Sequence, residues 1–236
     1  MRKTIAMVLF SCAINTIAQD LTVMKKSWEY KVVEKSDNSK VYDRNTGEHI
    51  KESEVKKIFK KYKKIYLEKI IDENGDVEKK LIDSSDPTKI YKWDISKRSE
   101  SGEKFPNLNF QSINGENFRL KDLKGNLIIL RFELFSDNFR FKKYEIEELD
   151  ARINSLNENS NKVKSFIFFI TPPDEIRKGF DLEGSNFVPV ANSGNINLRY
   201  IIKEFPTNIV VDREGNLIGY YSDIYEFNIE ELLSDN

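Results

Sequence analysis

One cysteine, Cys12, and one histidine, His49, are all that 236 residues contain of the side chains that most often carry redox, metal and acid–base chemistry. A lone cysteine excludes a disulfide within the chain and a Cys-x-x-Cys pair. A lone histidine excludes any cluster with metal-ligand spacing, so no metal and no cofactor is expected. The ten glycines form no phosphate-cradling loop. Charge of one sign is also missing: 38 basic side chains stand against 39 acidic ones. A chain without a basic excess has no electrostatic footprint for a nucleic-acid backbone, and that partner is excluded. What is present is apolar material, 39% of the residues, enough for one good-sized core and a smaller satellite.

The N-terminus carries Arg2 and Lys3, an apolar stretch from Ile5 to Phe10 and small residues ending at Ile17, Ala18 and Gln19. That layout reads as an export signal, residues 1–18, with Gln19 as the mature start and an exported, periplasmic or envelope location. The stretch is too short to be a membrane span. The alternative is acylation of Cys12 as a lipid anchor, although Phe10 and Ser11 before it make a poor lipobox. Either route leaves no free thiol.

Residues 19–100 read as an N-terminal appendage and linker. Trp28, Tyr30 and Val32 alternate with charged residues as in a half-exposed strand. Val55, Ile58, Phe59 and Tyr62 repeat at helical spacing over 51–62, and the lysines between them read as a solvated face. Asn74-Gly75 separates two apolar runs, Ile65 to Ile71 and Val77 to Ile82, which is a hairpin signal because both residues tolerate positive φ. Residues 84–104 are polar and read as a linker, with Ile90 to Ile95 as a docking stretch.

From residue 101 the signals are denser. Asn114-Gly115 marks a second hairpin, Leu120 to Asn126 a helical turn ended by Gly125. Leu127 to Leu134 is nearly continuous in apolar residues, the pattern of a strand buried on both faces and therefore central. Ile146, Leu149, Ile153 and Leu156 then give residues 141–156 an apolar helical face. Val163 to Thr171 is a second buried strand, so strand, helix and strand form a right-handed parallel unit. Pro172-Pro173 open a short helix, Phe187 to Ala191 is an edge strand, and residues 195–204 read as a helix of about three turns. Ile209 to Val211 and Leu217 to Tyr221 form an antiparallel hairpin around Asp212 to Asn216, and residues 228–233 a last helix.

In an open α/β sheet the chemistry lies beyond the carboxyl end of the central strand, here Ser136, Asp137, Asn138 and Phe139. Ser136 would need a histidine base, and His49 reads as a surface residue of the appendage. Asp137, Glu145, Glu147 and Glu148 read as carboxylates favouring the positive end of the following helix.

The order βαβ, helix, hairpin, helix, together with GEKFPNLNFQSINGENFRLKDLKGNLIILRF and FPTNIVVDREGNLIG, resembles the thioredoxin-like superfamily. The likeness is to its exported thiol–disulfide reductase and alkyl hydroperoxide reductase branch, over roughly residues 103 to 233. The resemblance implies an α/β thioredoxin-like fold, with a central mixed sheet and a small α+β appendage. It also implies that Pro206 follows a cis bond beside the site, so that Phe205, Pro206, Thr207 and Phe135 edge a groove for an extended peptide. The family's two cysteines would fall at Ser136 and Phe139, or at Phe139 and Lys142 if aligned by the helix. Neither pair supplies the thiolate that disulfide exchange or peroxide reduction requires. The expectation is a redox-inactive, degenerate site with a polypeptide partner. The alternatives are an oxidoreductase using a partner's thiol and a purely structural envelope domain.

Overall fold

The computed structural model describes residues 38–91, 94–136, 142–156, 162–179 and 184–234. Ser39–Asn236 form one compact unit. The strand expected around Trp28 to Val32, the export signal and Cys12 lie outside the described residues, as do Asp137, Asn138 and Phe139.

Ten strands make three sheets: β1 (Val41–Asp43), β2 (Glu68–Ile71), β3 (Val77–Ile82), β4 (Asn109–Gln111), β5 (Asn117–Arg119), β6 (Leu127–Glu133), β7 (Val163–Phe169), β8 (Phe187–Val190), β9 (Thr207–Val211) and β10 (Leu217–Tyr221). The helices are α1 (Glu52–Lys61), α2 (Lys143–Ser155), α3 (Pro173–Gly179), α4 (Gly194–Arg199) and α5 (Ile229–Ser234). The main sheet has the order β10-β9-β6-β7-β8. In it β6, β7 and β8 run parallel while β9 is antiparallel to both β6 and β10. A parallel βαβ unit extended by an antiparallel hairpin, with β6 central, is the thioredoxin-like arrangement.

Every residue of β6 is buried, and alternation sorts its side chains onto two cores. Leu127 and Ile129 join Ile146, Leu149 and Ile153 of α2 on one face. Ile128, Leu130 and Phe132 join Ile196 and Tyr200 on the other. On that second face Phe132 stacks on Phe168 at 4.8 Å, and Phe110 of β4 meets Phe166 and Phe168 edge-on. Each such ring contributes about 1.5–3 kcal/mol by leaving water.

Three hairpins share one five-residue turn: Asp72–Asp76, Ser112–Glu116 and Asp212–Asn216. In each, the first residue's N–H donates to the fifth residue's C=O, and the glycine at the fourth donates back to the first. Those glycines, at φ of 78°, 88° and 83°, occupy the left-handed region where a Cβ would be strained. The first side chain accepts from the fifth N–H in all three turns.

Three expectations change. The appendage sheet has a third strand, β1, pairing in parallel with β3 to give the order β1-β3-β2. Its three residues are too short to show periodicity. The helix expected over 195–204 stops at Arg199, because Ile201 turns to φ 55° and the Ile202 N–H closes onto the Asn197 C=O. The polar 84–104 stretch is pinned at both ends rather than slack. Tyr91 donates to Asp83, Arg98 donates twice to the Ile201 C=O, and Gly102 donates to the Leu217 C=O. The appendage sheet is also tied to α4 and to the segment entering β4: Arg199 bridges the carbonyls of Ile71 and Asn107, and the Asn109 N–H donates to the Glu73 C=O.

Candidate functional site

β6 delivers the chain to Leu134, Phe135 and Ser136. Ser136 is only 3% exposed, and its carbonyl lies so near Gly179 at the end of α3 that a Cβ there would meet the oxygen at 2.9 Å. Phe135 is half-buried. The pairing of Phe132 with Thr207 puts the Phe205–Pro206 step, whose peptide bond is cis, at this same end of the sheet. Thr207 is buried and donates its hydroxyl to the Glu204 C=O at 2.7 Å. Phe205 is half-buried and packs on the Phe132 side of the core. Its own N–H and C=O enter no main-chain hydrogen bond among the described residues. The fold thus brings Phe135, Ser136, Phe205, Pro206 and Thr207 to one sheet end. His49 is elsewhere, exposed on the turn after β1, with Nε2 2.6 Å from the Ser39 C=O and its ring edge-on to Tyr42.

The sequence reading missed what lies beneath. Arg131 is fully buried in the middle of β6. Its Nε donates to Glu133 Oε1 at 2.7 Å, and its Nη2 reaches the same oxygen at 2.6 Å and Glu145 Oε2 at 2.8 Å. Its Nη1 donates to Asn208 Oδ1 at 3.4 Å. Glu145 also takes Lys142 Nζ at 2.7 Å and the Tyr144 hydroxyl at 3.3 Å on its other oxygen. Two cations and two carboxylates therefore form a closed network tying the start of α2 to the central strand. Glu145 does sit in the first turn of α2, as expected, but it is buried and its side chain turns inward to the guanidinium. The signal was available, because Arg131 and Glu133 are two apart and must share a face of an otherwise apolar strand.

Burial pushes the Glu133 carboxyl above its usual value, against the pull of Arg131. Lys142 is pushed up by its hydrogen bond to Glu145. Glu133 holds a proton more readily than a free carboxylate, and it is enclosed and engaged by Arg131. Further along the same end of the sheet, Thr171 Oγ1, Ser193 Oγ and both amide atoms of Asn197 are buried without a hydrogen-bond partner among the described residues. Among the described residues no helix is long and apolar enough to cross a membrane.

No family model matches this chain, and no curated protein does. Solved structures do. A thiol:disulfide interchange protein from Bacteroides sp. is 19% identical, with 57% of this chain and 91% of that one covered and a TM-score of 0.45. The thioredoxin domain of a thiol-disulfide oxidoreductase from Bacteroides vulgatus is 19% identical, with 58% and 94% covered and a TM-score of 0.41. An exposed lipoprotein thioredoxin from Streptococcus pneumoniae is 18% identical, with 55% and 99% covered and a TM-score of 0.39. Similarity at this level bears on fold alone, and the fold already stands on strand order and register. The thiol chemistry in those names belongs to those proteins.

Proposed function

We propose that this chain is an exported, redox-inactive thioredoxin-like protein that binds an extended polypeptide beside Phe205–Pro206. In this reading residues 1–18 are the export signal, residues 19–100 the appendage and linker, and residues 101–236 the binding domain. Its degenerate site comprises Ser136, Asp137, Asn138 and Phe139. The observation that carries the reading is the main chain of Phe205. Its donor and acceptor enter no main-chain hydrogen bond among the described residues at the sheet end where β6 finishes, and an unpaired edge is what strand addition by a peptide uses. Redox inactivity is supported by composition, since the sole cysteine is Cys12 and serine cannot form a mixed disulfide.

The test uses the full-length mature protein and an unfolded, carboxymethylated model polypeptide, which carries no thiol of its own. Binding measured by fluorescence anisotropy is expected for the wild type. Phe205→Ala keeps the main-chain groups but removes the ring beside them, so it should weaken binding with only a modest drop in melting temperature, since the ring is packed partly on the core. Reduction of a protein disulfide above a no-protein blank, or peptide binding indifferent to Phe205→Ala, would overturn the reading.

A further inference from the structure

A second recess lies away from the Phe205–Pro206 step, where the two hairpin tips at Asn74-Gly75 and Ser112–Gly115 meet the β8–α4 turn. It is a cleft of about 500 Å³, a size typical of small-ligand sites. Its polar lining is unusual for this protein. One third of the chain is charged, yet the cleft presents five carboxamides, Asn74, Asn109, Gln111, Asn192 and Asn195. Its only charges are Arg177 and Asp174, which neutralise each other at 3.1 Å.

Four of the five carboxamides are held in place, and what each has left over follows from what it has already spent. Asn109 Nδ2 donates to Asn74 Oδ1 at 2.7 Å, which leaves the Asn74 Nδ2 hydrogens to point elsewhere. Asn195 Nδ2 donates to the Gly75 C=O at 3.0 Å, leaving Oδ1 as an acceptor. Gln111 Nε2 donates to the Gly115 C=O and to Asn117 Oδ1, leaving Oε1 as an acceptor. Asn192, exposed at φ 55°, engages its carboxamide with nothing among the described residues and offers both functions. Ile113, Pro173 and Ala191 supply apolar surface between these groups.

We propose that this cleft binds a neutral saccharide. A charged ligand would have to break the Arg177–Asp174 pair to gain a counter-ion, whereas a neutral one leaves it intact. Vicinal sugar hydroxyls each donate and accept at close spacing, which matches a lining where the Asn74 and Asn192 amides have donors to spare and Gln111, Asn192 and Asn195 have acceptors. The C–H faces of a pyranose fit the apolar strip between them. Nothing in this proposal depends on the peptide edge at Phe205.

The experiment is isothermal titration of the full-length mature protein with separate neutral oligosaccharides of glucose, mannose and N-acetylglucosamine. Three variants accompany it. Asn192→Gly removes the unengaged carboxamide while tolerating the positive φ, Gln111→Ala removes an exposed acceptor, and Phe205→Ala tests the other site. At least one sugar should bind, about tenfold more weakly to the doubly substituted Asn192→Gly, Gln111→Ala protein, as expected for two lost hydrogen bonds. Phe205→Ala should leave that binding unchanged. Absence of binding by every sugar, binding unaltered by the double substitution, or displacement of a bound sugar by an unstructured peptide would each overturn the proposal.

Discussion

Two buried carboxylates in this protein have opposite electrostatic fates, and the contrast lies in what their backbones have to spare. Asp83 follows β3 in a loop. Five donors converge on it: the Asn45 amide, the N–H and hydroxyl of Ser85, the Asp86 N–H and the Tyr91 hydroxyl. Its pKa is held far below the usual carboxylate range, chiefly by Ser85 and Tyr91. Glu133 ends the central strand. There the backbone donors of β6 face ladders on both sides, so one side-chain donor must do what hydroxyls and loop N–H groups together do for Asp83. Arg131 is that donor, shared with Glu145, and desolvation prevails. A loop can turn hydroxyls together with its own amides onto a charge, the hydroxyls of Ser85 and Tyr91 counting most here; a central strand cannot.

The largest effect expected from breaking this contrast is at Arg131. Arg131→Met leaves Glu133 and Glu145 buried without their shared cation, and should cost about 3–5 kcal/mol in denaturant unfolding. Replacing Arg131, Glu133 and Glu145 together by apolar residues of similar volume should recover most of that loss. If the single and triple variants were equally destabilised, packing rather than charge would be responsible.

Asp83→Ala should come next. It strands the Tyr91 hydroxyl and two loop N–H groups, and its loss in melting temperature should be smaller than that of Arg131→Met because those donors can reach water. Tyr91→Phe should reproduce part of it.

The pH profile separates the two carboxylates by sign. Glu133 has a folded pKa above its unfolded value of 4.5. Its favourable contribution is complete below that value and is lost as pH rises through the folded pKa. Asp83 has a folded pKa below its unfolded value of 3.8. Its contribution is present above that value and is lost as pH falls toward the folded pKa. Unfolding free energies across the acid range should therefore show Glu133→Gln flattening the slope above 4.5, while Asp83→Asn flattens the slope below 3.8. Slopes that respond to the opposite substitution would refute the assignment.

The smallest effect belongs to Ser193→Ala. The Ser193 hydroxyl is buried and unpartnered, so its removal should be neutral or slightly stabilising in thermal unfolding, unlike loss of a paired group.

Legibility in the chain tracked how local each cause is. The hairpins at Asn74-Gly75, Asn114-Gly115 and Asp212 to Asn216 were readable because five residues contain the whole turn. The central strand was readable because burial on both faces gives a nearly continuous apolar run, here interrupted by Arg131 and Glu133, and α2 because Ile146, Leu149 and Ile153 repeat. The end of α4 was not, since Leu198, Ile201 and Ile202 continue a helical pattern that the backbone abandons at Ile201, where Arg98 from a distant segment takes its carbonyl. Of the site, the position of Ser136 past the central strand followed from periodicity, but its burial against Gly179 depends on where α3 packs.

By itself the sequence determined the strand and helix pattern, the three turns and the absence of a thiol pair, because propensity, periodicity and composition act within a few residues. Only the tertiary structure decided that Arg131, Glu133 and Glu145 form one network, and that carboxamides from two hairpins and a turn line one cleft. The partners in each case come from elements up to dozens of residues apart, and pairing of that kind is set by sheet register and helix packing rather than by local preference.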